Sequence, residues 1–341
     1  MKDNNSATDL SDQPLHTGSA GPGLLWGLLG VTAFSFTVPL TRIAAEPGTL
    51  SPLFIGAGRA AVASVLAGLL LLIAWRRTRR GDSSIRAHRS ETSAADGSGA
   101  WPAQVPTLPR PGVSQGLRLL VVAGGVVLGF PLLTSYALTQ TPASHGAVVI
   151  ALLPAATAAA AVLRTKERTS PLFWMLAGLS AVLAVVFAVV QGAGLGGIQP
   201  ADLLLFAAVC AAAIGYAEGG VLARELGAWQ TISWALVLSA PVTLTLTIIA
   251  IVAQPPTGTV GQWASFAYLC VISMFLGFFA WYRGLAIGPM AQVSQIQLVQ
   301  PVMSIAWAAL LLGEHLDVPT ILCGTAVIAS AALTVRTRLR S

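Results

Sequence analysis

Residues 142–167 read PASHGAVVIALLPAATAAAAVLRTKE, and residues 289–314 read PMAQVSQIQLVQPVMSIAWAALLLGE. Each is a proline-led apolar stretch able to cross a bilayer core about 30 Å thick, which takes roughly 20 helical residues. At a constant offset of 147 they align Pro142 with Pro289, Pro154 with Pro301 and Glu167 with Glu314, without a gap. Leu138 with Leu285, Ala161 with Ala308 and Leu163 with Leu310 keep the same register. Apolar matches alone would be chance between two alanine- and leucine-rich helices; prolines and glutamates are too scarce here for that. The chain therefore carries an internal repeat.

Working outward, further apolar segments run from Leu24 to Ile43, Pro52 to Trp75, Leu117 to Thr139, Ala143 to Leu163 and Leu172 to Val190. A second set runs from Ala201 to Ala223, Thr231 to Ala253, Ala264 to Tyr282, Met290 to Leu312 and Pro319 to Val335. We number these spans one to ten. A register of 182, with the extra residues absorbed by the loop after span two, pairs Phe34 with Tyr216 and Arg42 with Arg224. Five spans per unit is an odd number, so the second copy enters the membrane upside down. The expected fold is an all-α membrane protein of ten transmembrane helices built as two inverted five-helix repeats, an architecture that puts substrate near the midplane between the copies.

Composition agrees. The 341 residues are 55% hydrophobic and 9% charged, with a mean hydropathy of +0.75; an ordinary soluble domain carries about 25% charged residues. Residues 1–21 lack an apolar core for a signal peptide and read as a disordered cytoplasmic tail. The first repeat is expected over 22–191, interrupted by a disordered loop at 76–116, the second over 200–336, with a basic tail at 337–341. The loop holds Arg76, Arg77, Arg79, Arg80, Arg86, Arg89 and Arg110, which the positive-inside rule assigns to the cytoplasm. Alternation then puts Arg164, Lys166, Arg168, Arg224, Arg283, Arg336, Arg338 and Arg340 inside too, and both termini in the cytoplasm of an inner-membrane protein. The net charge of +6 thus reflects topology, not a nucleic-acid surface. Cys210, Cys270 and Cys323 lie singly in apolar runs, without metal-ligand spacing.

Proline inside a helix lacks an N–H and frees the carbonyl four residues back, so Pro154 is expected to release Ile150, and Pro301 to release Gln297. In lipid such carbonyls need protein, water or ligand. Either they open onto a cavity between spans four and nine, or neighbouring hydroxyls answer a structural kink.

The stretch Trp281-Tyr282-Arg283-Gly284-Leu285-Ala286, then Gly288-Pro289, then Leu298-Val299-Gln300-Pro301-Val302, closes at Leu311-Leu312-Gly313-Glu314. It resembles the span eight to nine signature of the EamA-type branch of the drug/metabolite transporter superfamily. In the first copy Tyr136-Ala137-Leu138, Thr141-Pro142-Ala143 and Leu152-Leu153-Pro154 resemble the same pattern, while Arg164-Thr165-Lys166-Glu167 keeps only the Glu. Arg59, after Ser51-Pro52, matches a position where such proteins often carry Arg. The resemblance covers nearly all of the chain outside the tail and the long loop. It implies a ten-helix bundle with a central cavity that exports amino acids or related metabolites.

Ionisable groups inside a membrane cost about 2.5 to 3.5 kcal/mol each on insertion scales, so each is a functional candidate. Arg59 lies about 10 Å into span two at 1.5 Å per residue; it either meets a substrate carboxylate through its planar fork or snorkels to headgroups. Glu218, in Tyr216-Ala217-Glu218-Gly219-Gly220, either carries a coupling proton or forms an inner-side ion pair with Arg283 or Arg224. His145 is open to proton sensing, or to a capping or headgroup contact. In span nine, Gln297, Gln300 and Ser304 share one face and Gln292 and Gln295 another; amides suit a polar ligand, or bond between helices. Tyr136, Tyr216, Trp281 and Trp307 are candidate cavity walls, against interface anchoring or core packing.

No Walker motif or Gly-rich phosphate loop is present, and no cofactor is expected. The leading reading is an alternating-access permease for a small polar metabolite such as an amino acid, its partners being that solute and the lipid bilayer. A proton-coupled drug exporter is the rival within transport. A membrane scaffold or intramembrane enzyme is the rival from another class, and the scattered His16, His88, His145 and His315 offer no catalytic cluster.

Overall fold

The computed structural model describes residues 20–46, 49–92, 110–165, 199–287, 293 and 296–315, with isolated positions between 171 and 182 and between 318 and 329. Among the described residues every regular element is helical. Seven helices among the described residues are long and apolar enough to cross a membrane: Pro22–Ala44, Pro52–Thr78, Val113–Ala137, Ala143–Arg164, Pro200–Leu226, Ala228–Ala253 and Val260–Ile287. Val299–Leu312 is shorter. These are spans one to four and six to nine; spans five and ten fall almost wholly outside the described residues. Val65, Leu69 and Ile73 on span two and Ile248, Ile249 and Val252 on span seven are exposed. In water such apolar bands would drive association; on helices of this length they face lipid. This is a multi-pass membrane protein.

The helix of span two does not end at Trp75 but runs on as Pro52–Thr92, so the first part of the expected irregular loop is helical. The segment lacks proline and is rich in arginine, a good helix former, so an existing helix propagates through it.

The repeat reappears as matched irregularities in the backbone. Span three contains a π-helical stretch at Ala123–Gly129 and span eight one at Leu269–Leu276, in register at the offset of 147. Span four breaks between Ala143–Ile150 and Leu153–Thr165, leaving Pro154 in the first turn of the second piece, where its missing N–H costs nothing. Span nine passes through a 3-10 turn at Ile296–Leu298 before Val299–Leu312, so Pro301 likewise sits in a first turn. Both helices thus restart just before their proline instead of bending around it.

Packing follows the same exchange of one copy for the other. Span two lies along span seven and span four against span nine, while span one packs on span eight as span six does on span three. Span six also packs on span four, and span one on span nine. Exchanging one with six, two with seven, three with eight and four with nine maps this set onto itself. The span three to six crossing is close: a Cβ on Gly125 would stand 2.3 Å from the Ala211 carbonyl oxygen, so only glycine lets these backbones approach.

Helix ends are tied across the bundle. Gly313 ends span nine with φ of 63°, a left-handed cap that glycine adopts without steric cost. The reversal brings the Glu314 carboxylate to the start of span four, where it accepts from the N–H groups of Ala143 at 2.8 Å and Ser144 at 2.9 Å. Two orphan donors and a helix dipole are thereby satisfied at once. The structure gives the Leu-Gly-Glu element a mechanical meaning: the glycine turns the chain and the glutamate caps another helix. Arg42 donates to the Leu138 carbonyl at 2.8 Å, placing a cation at the C-terminus of span three.

Candidate functional site

Arg59 does not snorkel. It is 1% exposed, and its Nε, Nη1 and Nη2 all lack a hydrogen-bond partner. The guanidinium faces a central cavity whose polar lining is Thr37, Tyr216, Ser273 and Gln300, with Phe34, Phe130 and Phe278 among its apolar walls. Thr37 Oγ1 and Ser273 Oγ are 2.7 Å apart and hydrogen-bonded across spans one and eight. The space left between these groups is only about 20 Å³, roughly what one water needs. A metabolite therefore cannot fit unless the walls move.

Phe34 and Tyr216, equivalent at the offset of 182, stack with centroids 6.4 Å apart. Val126 and Ser273, equivalent at 147, both line the cavity. Residues exchanged by a two-fold axis can meet only close to that axis, so the cavity sits on it. Phe278 closes the aromatic wall at 6.0 Å from Tyr216, and Trp281 packs on Tyr216 at 5.9 Å. Trp281 is fully buried behind this wall and its Nε1 has no partner.

The span nine amides separate. Gln300 lines the cavity and its Oε1 is unpartnered. Gln297, in the 3-10 turn, is 1% exposed with neither amide atom bonded, yet it is not among the cavity-lining residues. Ser304 donates to the Ser35 carbonyl at 2.7 Å, and Trp307 donates to Ser35 Oγ at 3.1 Å, so these two brace span one. Gln292 and Gln295 lie outside the described residues. Tyr136 is 41% exposed at the end of span three, away from the cavity.

Glu218 forms an ion pair, with partners other than those expected. It accepts from Arg118 Nε and Arg164 Nε, and from Arg164 Nη2 at 3.3 Å. Arg118 also donates to Glu225 at 2.7 Å, and Gln115 to Glu225 at 3.1 Å. Arg283 instead lies 5.3 Å over the Trp26 ring, and Arg224 is exposed. This cluster joins spans three and four to span six, closing one end of the bundle. At the other end His145 Nε2 lies 2.7 Å from buried Asp202 Oδ1, and Gln262 donates to Glu46 at 2.8 Å. Beside the cluster a larger cleft of about 310 Å³ runs between spans four and six. Its charged lining groups, Arg164 and Glu218, already satisfy each other, so it offers a ligand no unpaired charge.

Two regions of the chain, residues 21–190 and 199–336, match the EamA-like transporter family. The chain belongs to the EamA-like transporter family. It is 39% identical over 310 residues to the uncharacterized transporter YdeK of Bacillus subtilis (strain 168), covering 91% of this chain and 96% of that one. A solved crystal structure shares the fold at a TM-score of 0.58 and 15% identity, covering 94% of this chain and 98% of that one. As an EamA-like protein the chain is a membrane transporter, and a small-molecule substrate follows from that membership.

Thr37, Ser273 and Phe130 carry no signal in the linear sequence, since a hydroxyl or ring in an apolar run is as often packing as lining. Arg118 did carry one: a base inside the hydrophobic window of an EamA-like span needs an acid, and Glu218 is the acid buried nearby.

Proposed function

We propose that this EamA-like protein is an alternating-access permease of the inner membrane, exporting a small polar metabolite of amino-acid size. The observation that carries the reading is Arg59, buried and unpartnered at the centre of the bundle. An uncompensated guanidinium is costly in a low-dielectric interior, and a site that keeps one has a use for its charge. Arg59, Tyr216 and Gln300 are the binding groups, with Phe34 and Phe278 as walls and Trp281 packed behind them. The two halves, 22–191 and 200–336, are inverted five-helix copies with both termini in the cytoplasm.

Transport follows from two closures around one site. The Arg118–Glu218–Arg164 cluster shuts the cytoplasmic end, and the Glu314 cap with the His145–Asp202 pair shuts the outer end. Both closures join one half to the other, so rocking the halves breaks one set while the other holds, and the cavity opens to one side at a time. Glu218, held by two arginines, serves this latch better than it would serve as a free proton carrier.

The test is efflux from cells overproducing the chain, screened over amino acids and related carboxylates, with Arg59→Ala and Gln297→Ala beside it. Export of at least one solute, lost in Arg59→Ala while the protein still reaches the membrane, supports the reading. Unchanged efflux and tolerance for every solute and toxic analogue would reject it.

A further inference from the structure

We propose that the solute is a net anion, a carboxylate without a balancing ammonium on an apolar or aromatic body, and that the membrane potential itself drives its exit. This rests on the permease reading and narrows its substrate.

The argument is one of charge balance. Arg59 brings a positive charge to the cavity and the other polar lining groups, Thr37, Tyr216, Ser273 and Gln300, are neutral. An ammonium would need an acid, and the acids that the described spans and their ends hold are committed elsewhere. Glu218 and Glu225 are bonded to Arg118, and Glu218 to Arg164 as well. Asp202 faces His145, Glu314 caps span four, and Glu46 takes the Gln262 amide. A bound carboxylate neutralises Arg59 and satisfies the guanidinium donors that burial leaves open, whereas a zwitterion would trade one unpaired buried charge for another. The rings of Phe34, Tyr216 and Phe278 supply flat apolar walls for the rest of the molecule.

The energetic consequence concerns direction. Over a complete cycle the protein returns to its starting state, so the net charge moved is that of the solute. An inside-negative potential of 100 mV then sustains about a fifty-fold outward gradient of a monovalent anion, with no coupling ion. Export of a zwitterion would gain nothing from the same potential.

Three ligands with the same ring separate the charge classes: 3-phenylpropionate, phenylalanine and 2-phenylethylamine, titrated calorimetrically against the purified full chain. The expected result is at least ten-fold tighter binding of 3-phenylpropionate. That preference should vanish in Arg59→Gln, survive weakened in Arg59→Lys, and shift toward 2-phenylethylamine in Gln300→Glu, which places an acid in the cavity. Equal or tighter binding of phenylalanine, no binding of 3-phenylpropionate, or a preference that persists in Arg59→Gln overturns the inference. In proteoliposomes, efflux of labelled 3-phenylpropionate above protein-free vesicles should rise several-fold under an inside-negative potassium diffusion potential. Selective anion binding with no flux of any solute contradicts the permease reading and the driven exit while upholding the charge preference; flux of phenylalanine in preference to the anion upholds the permease and rejects the charge preference.

Discussion

The carboxylate of Glu314 sits 2.8 Å from the backbone nitrogen of Ala143, joining residues 171 positions apart. The same carboxylate takes the N–H of Ser144, so one side chain holds the start of span four against the end of span nine. Loss of a charged cap costs about 1 to 2 kcal/mol. Glu314→Ala should therefore lower the unfolding temperature in detergent, with Glu314→Gln in between, because the amide oxygen still accepts but carries no charge. Gly313→Ala should destabilise as well, since its φ of 63° places a side chain in a strained region. Unfolding temperatures unchanged in all three would remove the capping account.

The two arginines on Glu218 are not equivalent. Arg164 is 47% exposed at its side chain and Arg118 21%, and Arg118 alone also reaches Glu225. Arg164→Ala should cost no more than the roughly 1 kcal/mol of an exposed pair, whereas Arg118→Ala should approach the roughly 3 kcal/mol seen when a buried pair loses a member. Denaturant titration of both variants gives the ranking; a larger loss from Arg164→Ala would be incompatible with this arrangement.

Gly125 tests the span three to six crossing. Its substitution by alanine drives a Cβ against the Ala211 carbonyl, a backbone atom that cannot rotate away. Overpacking of this kind costs about 1 to 3 kcal/mol. Gly124→Ala, where nothing stands within 4 Å of the added carbon, is the control and should stay within a few tenths of the parent. Thermal denaturation of the pair decides between a tight crossing and a tolerant one.

Span nine braces span one through Ser304 and Trp307, both bonded to Ser35. Ser304→Ala and Trp307→Phe each remove one bond and should cost about 1 kcal/mol while leaving ligand affinity near that of the parent, since neither lines the cavity. A ten-fold affinity loss in either variant would move the site toward span nine.

The sequence was informative where a signal repeats and mute where contacts cross the bundle. Hydropathy located spans one to four and six to nine because lipid enforces a length. The offset of 147 anticipated where backbones are irregular, since Pro154 and Pro301 mark the same restart in both copies. Pairing Phe34 with Tyr216 by repeat arithmetic named two rings that stack. The sequence points to Arg283 or Arg224 as partners of Glu218, whereas the true partners Arg118 and Arg164 share no linear spacing with it, and Arg118 stands in an apolar window. Tyr136 looked like a wall by motif, yet the helical phase of span three turns it outward. Gln295 and Glu167 fall outside the described residues.

The central claim is that one cavity beside Arg59 opens to each side of the membrane in turn. It is tested most directly by labelling Ser273→Cys with an impermeant maleimide applied from one side at a time, in a chain whose Cys210, Cys270 and Cys323 are replaced. Alternating access predicts labelling from both sides, with Glu218→Gln, which weakens the cytoplasmic latch, raising the cytoplasmic rate and lowering the outer one. Labelling from one side only, or rates that rise together on both sides, would contradict it.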